Sequence, residues 1–231
     1  MSFENKKVVV TGGTGAVGRA VCEAFLKAGA DVYSSFVVDA ELENLSPALS
    51  ESDRFHTEKV DLTDERSVAT WYANIGRPDV VANIAGGFSM GPFAEISSED
   101  WQKMQAVNLT TCFLSCREAL RKMDPNGHGR IINVAAWAAV GRTGGMAAYT
   151  TAKSGVISLT EALAEETLLQ KITVNAVLPT IMDTPANREA MPDADFDAWV
   201  PTANVAETIL FLSGESAWHI TGAAVPLRGH L

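Results

Sequence analysis

Hydrophobic and polar positions follow two rhythms that alternate along the chain. Short runs rich in Val and Ile, closed by Gly, Asn or Asp, predict strands at Lys7–Val10, Asp31–Val38, Phe55–Val60, Asp79–Ile84, Arg130–Ala135, Ile172–Val177 and Ala223–Leu227. Between them, apolar residues recurring every three or four positions predict helices at Ala16–Ala28, Asp64–Ile75, Ser98–Met123, Met146–Leu169 and Val205–Leu212. Gly29 closes the first helix, Thr63 is placed to cap the second, and Ser98 begins the third with acids in its first turn, where they suit the helix dipole. Strands and helices in alternation imply a parallel sheet covered on both faces. The expected architecture is one doubly wound α/β domain over residues 1–231, with about seven strands. One long stretch, Thr180–Thr202, follows neither rhythm and carries Pro185, Pro192 and Pro201. Irregular segments of that length in compact domains are usually functional, so residues 180–202 are assigned as a substrate lid.

Composition narrows the class. A chain of 231 residues fits one domain, and 47% apolar with 20% charged residues excludes a disordered polymer. Lys and Arg number 18 against 28 Asp and Glu, a net charge of −10 that argues against nucleic acid as a partner. The valines before Thr11 are too few for a signal-peptide core, and Ile131–Gly141 is too short for a membrane span. Cys22, Cys112 and Cys116 form no CxxC pair and read as buried thiols; His56, His128, His219 and His230 are scattered. A cytoplasmic protein without a metal is the expectation.

Chemistry enters with Thr11-Gly12-Gly13-Thr14-Gly15-Ala16-Val17-Gly18, between the first strand and the first helix. Glycines there allow a tight turn and close backbone approach, so that a pyrophosphate can rest on the helix N-terminus. Tyr149 and Lys153 stand four apart on one helix face. An ammonium beside a phenol favours the phenolate, which predicts a lowered Tyr149 pKa and a general acid/base. Asp61, taken singly, reads as a strand-end cap.

The ordered set of the glycine turn, Asp61-Leu62, Asn83-Ile84-Ala85-Gly86, Asn108, Tyr149-Thr150-Thr151-Ala152-Lys153, Pro179–Thr184 and Ile220-Thr221-Gly222 resembles the short-chain dehydrogenase/reductase family over essentially the whole chain. That resemblance implies a Rossmann fold and an NAD(P)-dependent oxidoreductase. It implies cofactor contacts from Gly12, Thr14, Gly15, Ala16, Val17, Asp61, Leu62, Asn83, Ala85, Tyr149, Lys153, Pro179, Met182 and Thr184. Asp61 would accept from the adenine amino group and Leu62 would cover the ring. Lys153 would hold the nicotinamide ribose, and Asn108 would anchor a water leading from Lys153 to solvent.

Two departures refine the resemblance. The family's serine, thirteen residues before the tyrosine, is Ala136 here, and the central glycine of the turn is Ala16. Losing one such hydrogen-bond donor typically costs about a hundred- to a thousandfold in rate. The dihydropteridine reductase branch is similar at both places and across Ala176–Trp199. This implies an imine-like, quinonoid dihydropteridine-like substrate, with Phe88, Ala136, Trp137, Met191 and Trp199 as its contacts. A carbonyl reductase with Thr143 or a water replacing the serine is the alternative, and a catalytically weak nucleotide-binding scaffold another. For Trp199 and its apolar neighbours, simple packing of the loop stays open. Phe36 stands where an acid would select NAD, Asp39 follows three residues later, and Arg19 could approach a phosphate or simply be an exposed first-turn residue, so the balance leans only slightly to NADPH over NAD. Small residues along Ser98–Met123 and Met146–Leu169 suit close helix approach across a two-fold axis, giving a homodimer first. Pro226 places the last strand at a sheet edge and makes a tetramer second.

Overall fold

The computed structural model describes residues 1–141 and 143–230. It begins β1 (Lys7–Thr11), α1 (Ala16–Lys27), β2 (Asp31–Phe36), a 3-10 turn Asp39–Asn44, α2 (Pro47–Ser50), β3 (Phe55–Lys59), α3 (Glu65–Ile75) and β4 (Val80–Asn83). It continues α4 (Ser98–Gln105), a π-helical turn Ala106–Thr110, α5 (Thr111–Lys122), β5 (Gly129–Val134), α6 (Ala138–Gly141), α7 (Ala147–Glu166) and β6 (Ile172–Pro179). The last part is β7 (Met182–Asp183), α8 (Pro185–Ala190), β8 (Val200–Pro201), α9 (Thr202–Ser213) and β9 (Ala224–Leu227).

Seven strands form one parallel sheet in the order β3-β2-β1-β4-β5-β6-β9. Successive side chains enter opposite layers, which is why the central strands are apolar without alternation. Val8 and Val10 join the core under α1 and α9, whereas Val9 joins the one under α3, α5 and α7. Strand order reverses between β1 and β4, so their carboxyl ends diverge into the crevice where ligands bind in such sheets. Thr11 Oγ1 clasps that crevice, accepting from Ile84 N at 2.9 Å and Ala85 N at 3.2 Å. Pro226 lies on the edge strand β9, as its missing N–H requires.

Several expectations shift. The caps are Asp64, which accepts from Ser67 N, and Ser97, which accepts from Asp100 N, rather than Thr63 and Ser98. Ser98–Met123 is interrupted by its π-helical turn, where one extra residue is accommodated. β2 ends at Phe36 instead of Val38, because the chain bends outward and leaves Val37 and Val38 exposed. Residues 180–202 are not irregular: β7 pairs with β8 around α8 and a 3-10 turn Phe196–Ala198.

Candidate active site

The glycine turn is defined by what has no room for a side chain. Gly12 adopts φ +65°, a Cβ on Gly13 would meet Ser34 Oγ at 2.2 Å, and one on Gly18 would meet Gly12 O at 2.1 Å. Gly15 caps α1 in extended conformation with no side-chain hydrogen bond, and the first turn carries no acid. The N–H groups of α1 are therefore left for an anion, and the turn fits a pyrophosphate. Val17 and Thr14 are buried, whereas Ala16 is half-buried and keeps its methyl without disturbing the turn.

Just past β3, Asp61 is exposed and accepts from Thr63 N at 2.9 Å and Thr63 Oγ1 at 2.6 Å, bonds that hold its carboxyl below the usual range. This is the strand-end turn its residue type suggests. Leu62 lies in the core with Val60 and Val68, not stretched over an open groove. Asn83 is likewise turned inward: its Nδ2 donates to Asn133 Oδ1 at 2.8 Å, and Asn133 Nδ2 donates to Thr160 Oγ1 at 2.9 Å. The Asn83 side chain braces β4 against β5, so a dinucleotide contact from it is left to the backbone. Pro179 ends β6, Met182 and Thr184 follow it, and Thr184 Oγ1 caps α8 by accepting from Asn187 N.

Tyr149 and Lys153 share one face of α7, but burial overrides their spacing. Lys153 is 5% exposed, and its Nζ donates to Val134 O at 2.8 Å, 6.0 Å from the Tyr149 ring centre. Burial pulls the ammonium down to about 8 and pushes the Tyr149 phenol up to about 12. The expected lowering of Tyr149 is thus reversed, because the ammonium is too distant to offset the loss of water. At neutral pH the phenol keeps its proton.

The π-helical turn brings Asn108 to the same place. Its Nδ2 donates to Gly87 O and Met104 O, and its Oδ1 accepts from Gly87 N at 3.2 Å. A Cβ on Gly86 would lie 2.6 Å from Asn108 Oδ1 and 3.3 Å from Lys153 Nζ, so both side chains flank one glycine. Phe88, 58% exposed, sets its edge on the Tyr149 ring at 5.1 Å. Beyond it opens a cavity of about 230 Å3 lined by Met90, Pro92, Glu95, Ile96, Met146 and Ala148, the residue before Tyr149.

Ala136 is buried at the end of β5 and offers only a methyl. Trp137 stacks under the Arg228 guanidinium at 4.6 Å, a contact with no local sequence signal. Thr143 is exposed on the loop before α7. Within residues 180–202, Met191 is half-buried, but Trp199 is only 3% exposed and packs on Phe196 at 4.8 Å. His230 N donates to Ala198 O at 2.9 Å, so the tail ties this segment down. Trp199 is seated as the anchor of segment 180–202, the packing role left open by the sequence. Glu41, which the sequence reading passed over, reaches the glycine turn and accepts from the Thr14 hydroxyl. Two acids spaced just past the second strand, Asp39 and Glu41, were its only signal.

Comparison with known proteins agrees with this geometry. The family described as short chain dehydrogenase matches residues 6–195. The 3-oxoacyl-(acyl-carrier-protein) reductase FabG of Escherichia coli (strain K12) is 29% identical, covering 99% of this chain and 98% of its own. A short-chain dehydrogenase/reductase from Serratia marcescens BCRC 10948 superposes with a TM-score of 0.88 at 27% identity, over 100% of this chain and 99% of that one. A blue fluorescent protein from a metagenomic library, solved in complex with NADPH, gives a TM-score of 0.90 at 25% identity, over 100% and 99%. With its glycine turn, its Tyr149–Lys153 helix and a family match over most of its length, the chain belongs to the short-chain dehydrogenase family of oxidoreductases.

Proposed function

We propose that the protein is an NAD(P)H-dependent reductase in which Tyr149 gives the proton to the substrate. The observation that carries this reading is geometric: Tyr149 and Lys153 share one face of the helix Ala147–Glu166, with Lys153 Nζ and Asn108 flanking the same glycine, Gly86. A nicotinamide dinucleotide, with its pyrophosphate on Gly12–Gly18 and its ribose toward Lys153, supplies hydride when bound. Asn108 acts as a positioning residue, holding the Gly86–Gly87 backbone that borders Lys153. Phe88 packs at a steep angle on the Tyr149 ring, 5.1 Å between ring centres, and helps fix its orientation. NADPH as the reductant is supported by its presence in the similar metagenomic protein.

Ala136 supports the finer reading of substrate. Without a hydroxyl there, Tyr149 is the donor that remains, which suits an imine-like, quinonoid dihydropteridine-like substrate whose nitrogen takes the proton. A carbonyl substrate is the second reading, favoured by the similarity to FabG, a 3-oxoacyl reductase by name. The test is NADPH and NADH oxidation with quinonoid dihydropterin against a panel of small ketones. Faster turnover of the dihydropterin supports the first reading, ketone preference the second, and no oxidation with either overturns the reductase assignment. A cytoplasmic homodimer is proposed with this activity.

A further inference from the structure

β9 ends at Leu227 beside the end of β6, and the residues after it are pinned by their backbone. Thr180 N donates to Leu227 O at 2.9 Å, Gly229 N donates to Thr180 Oγ1 at 3.2 Å, and His230 N donates to Ala198 O at 2.9 Å. Gly229 passes so close to segment 180–202 that a Cβ on it would meet Ala198 O at 1.9 Å. Between these anchors Arg228 sends its side chain across the end of β6 and sets its guanidinium over the Trp137 ring, 4.6 Å from the ring centre. Trp137 follows Ala136 directly, just past the strand whose Val134 carbonyl takes the Lys153 ammonium. The Arg228 cation therefore rests on the residue next to the place where the serine is missing.

An aromatic face attracts a guanidinium without using its N–H donors. Arg228 is exposed, and among the described residues it makes no hydrogen bond or ion pair. Arg188 differs, because Asp183 holds it with bonds of 2.6 and 2.8 Å. One unneutralised guanidinium with its planar fork free matches the charge and the shape of a carboxylate. We propose that Arg228 is a specificity-determining residue that takes a carboxylate on the substrate while the reducible bond of the same molecule lies at Tyr149. The inference rests on the reductase reading above and narrows its substrate to an anionic one, whether the reduced bond is C=N or C=O. Hydride still comes from the dinucleotide and the proton from Tyr149. Arg228 decides which end of the molecule enters, and Trp137 holds Arg228 in place.

Calorimetry on the whole chain with benzoate and with benzamide, alike in shape and different in charge, tests this with and without NADPH. Benzoate should bind at least about tenfold more tightly than benzamide. Arg228→Gln should bring the two within about twofold. Arg77→Gln, which removes the same charge near the amino end of β4, where Arg77 pairs with Asp124, should leave the preference as it was. Equal binding of the two probes, no benzoate binding at millimolar concentration, or a preference that survives Arg228→Gln overturns the proposal. Thermal melts of Arg228→Gln complete the test: a lowered Tm with the preference kept makes the arginine a fastening for the tail and nothing more. If the unaltered protein binds neither NADPH nor NADH, the reductase reading falls and the substrate role of Arg228 with it; failure of the benzoate preference alone leaves the reductase reading standing.

Discussion

Lys153→Met should make the cofactor-free protein more stable at neutral pH while abolishing turnover. The ammonium is 5% exposed, and its pKa falls from 10.5 to about 8, a penalty of about 3 kcal/mol for keeping it charged in the fold. Met fills a similar volume without charge. It forfeits the hydrogen bond to Val134 O and leaves that carbonyl unpaired, which returns about 1–3 kcal/mol. The net gain is about 1 kcal/mol, or roughly 2–4 °C in Tm for a domain of this size. The pH dependence is the sharper readout. Below pH 8 Lys153 is protonated whether the chain is folded or not, and the full penalty applies. Between 8 and 10.5 the unfolded chain holds a proton that the folded one has lost, so the unaltered protein gains stability with rising pH relative to the variant. Thermal melts of both proteins across that window should show the advantage of the Met variant shrinking and then reversing. A stability difference that does not change with pH would refute the argument that burial sets the state of Lys153.

Other consequences follow from neighbouring side chains. Ala136→Ser places a hydroxyl in a buried position at the end of β5 and should speed ketone reduction while leaving imine reduction unchanged or slower; steady-state rates on both substrates check it. Trp199→Ala removes a side chain that is 3% exposed and should cost about 3–5 kcal/mol in denaturant unfolding, raising the KM for substrate and dinucleotide alike. A rise in substrate KM alone, with stability kept, would return Trp199 to the substrate surface. Light scattering at micromolar concentration should give twice 24.6 kDa, and a single-chain mass would remove the pairing of the two long helical segments.

Much of this was legible in the sequence because the inner strands of the sheet are apolar on both faces and the strands are separated by amphipathic helices. All seven strands of the sheet fall within two residues of their expected bounds, the largest overruns lying at Val37–Val38 and at Leu178–Pro179. Periodicity does not register an element of two residues, which is why β7 and β8 within 180–202 escaped. Caps slipped by one where chemically similar neighbours adjoin, Ser97 beside Ser98 and Thr63 beside Asp64. Spacing put Tyr149 and Lys153 on one face but said nothing of how far each is withdrawn from water, and that withdrawal decided the sign of each shift. Glu41 was illegible for a different reason. Its partner Thr14 is 27 residues away, a contact made by the path of the chain after β2 rather than by any local pattern.

The central claim is that Tyr149 delivers the proton, and Tyr149→Phe tests it most directly. The ring still packs edge-on against Phe88, so the variant keeps its fold and loses only a hydroxyl. Turnover with saturating NADPH or NADH should fall by about a hundredfold or more, with dinucleotide dissociation constants unchanged within about twofold. Turnover of Tyr149→Phe at the rate of the unaltered protein would contradict the account.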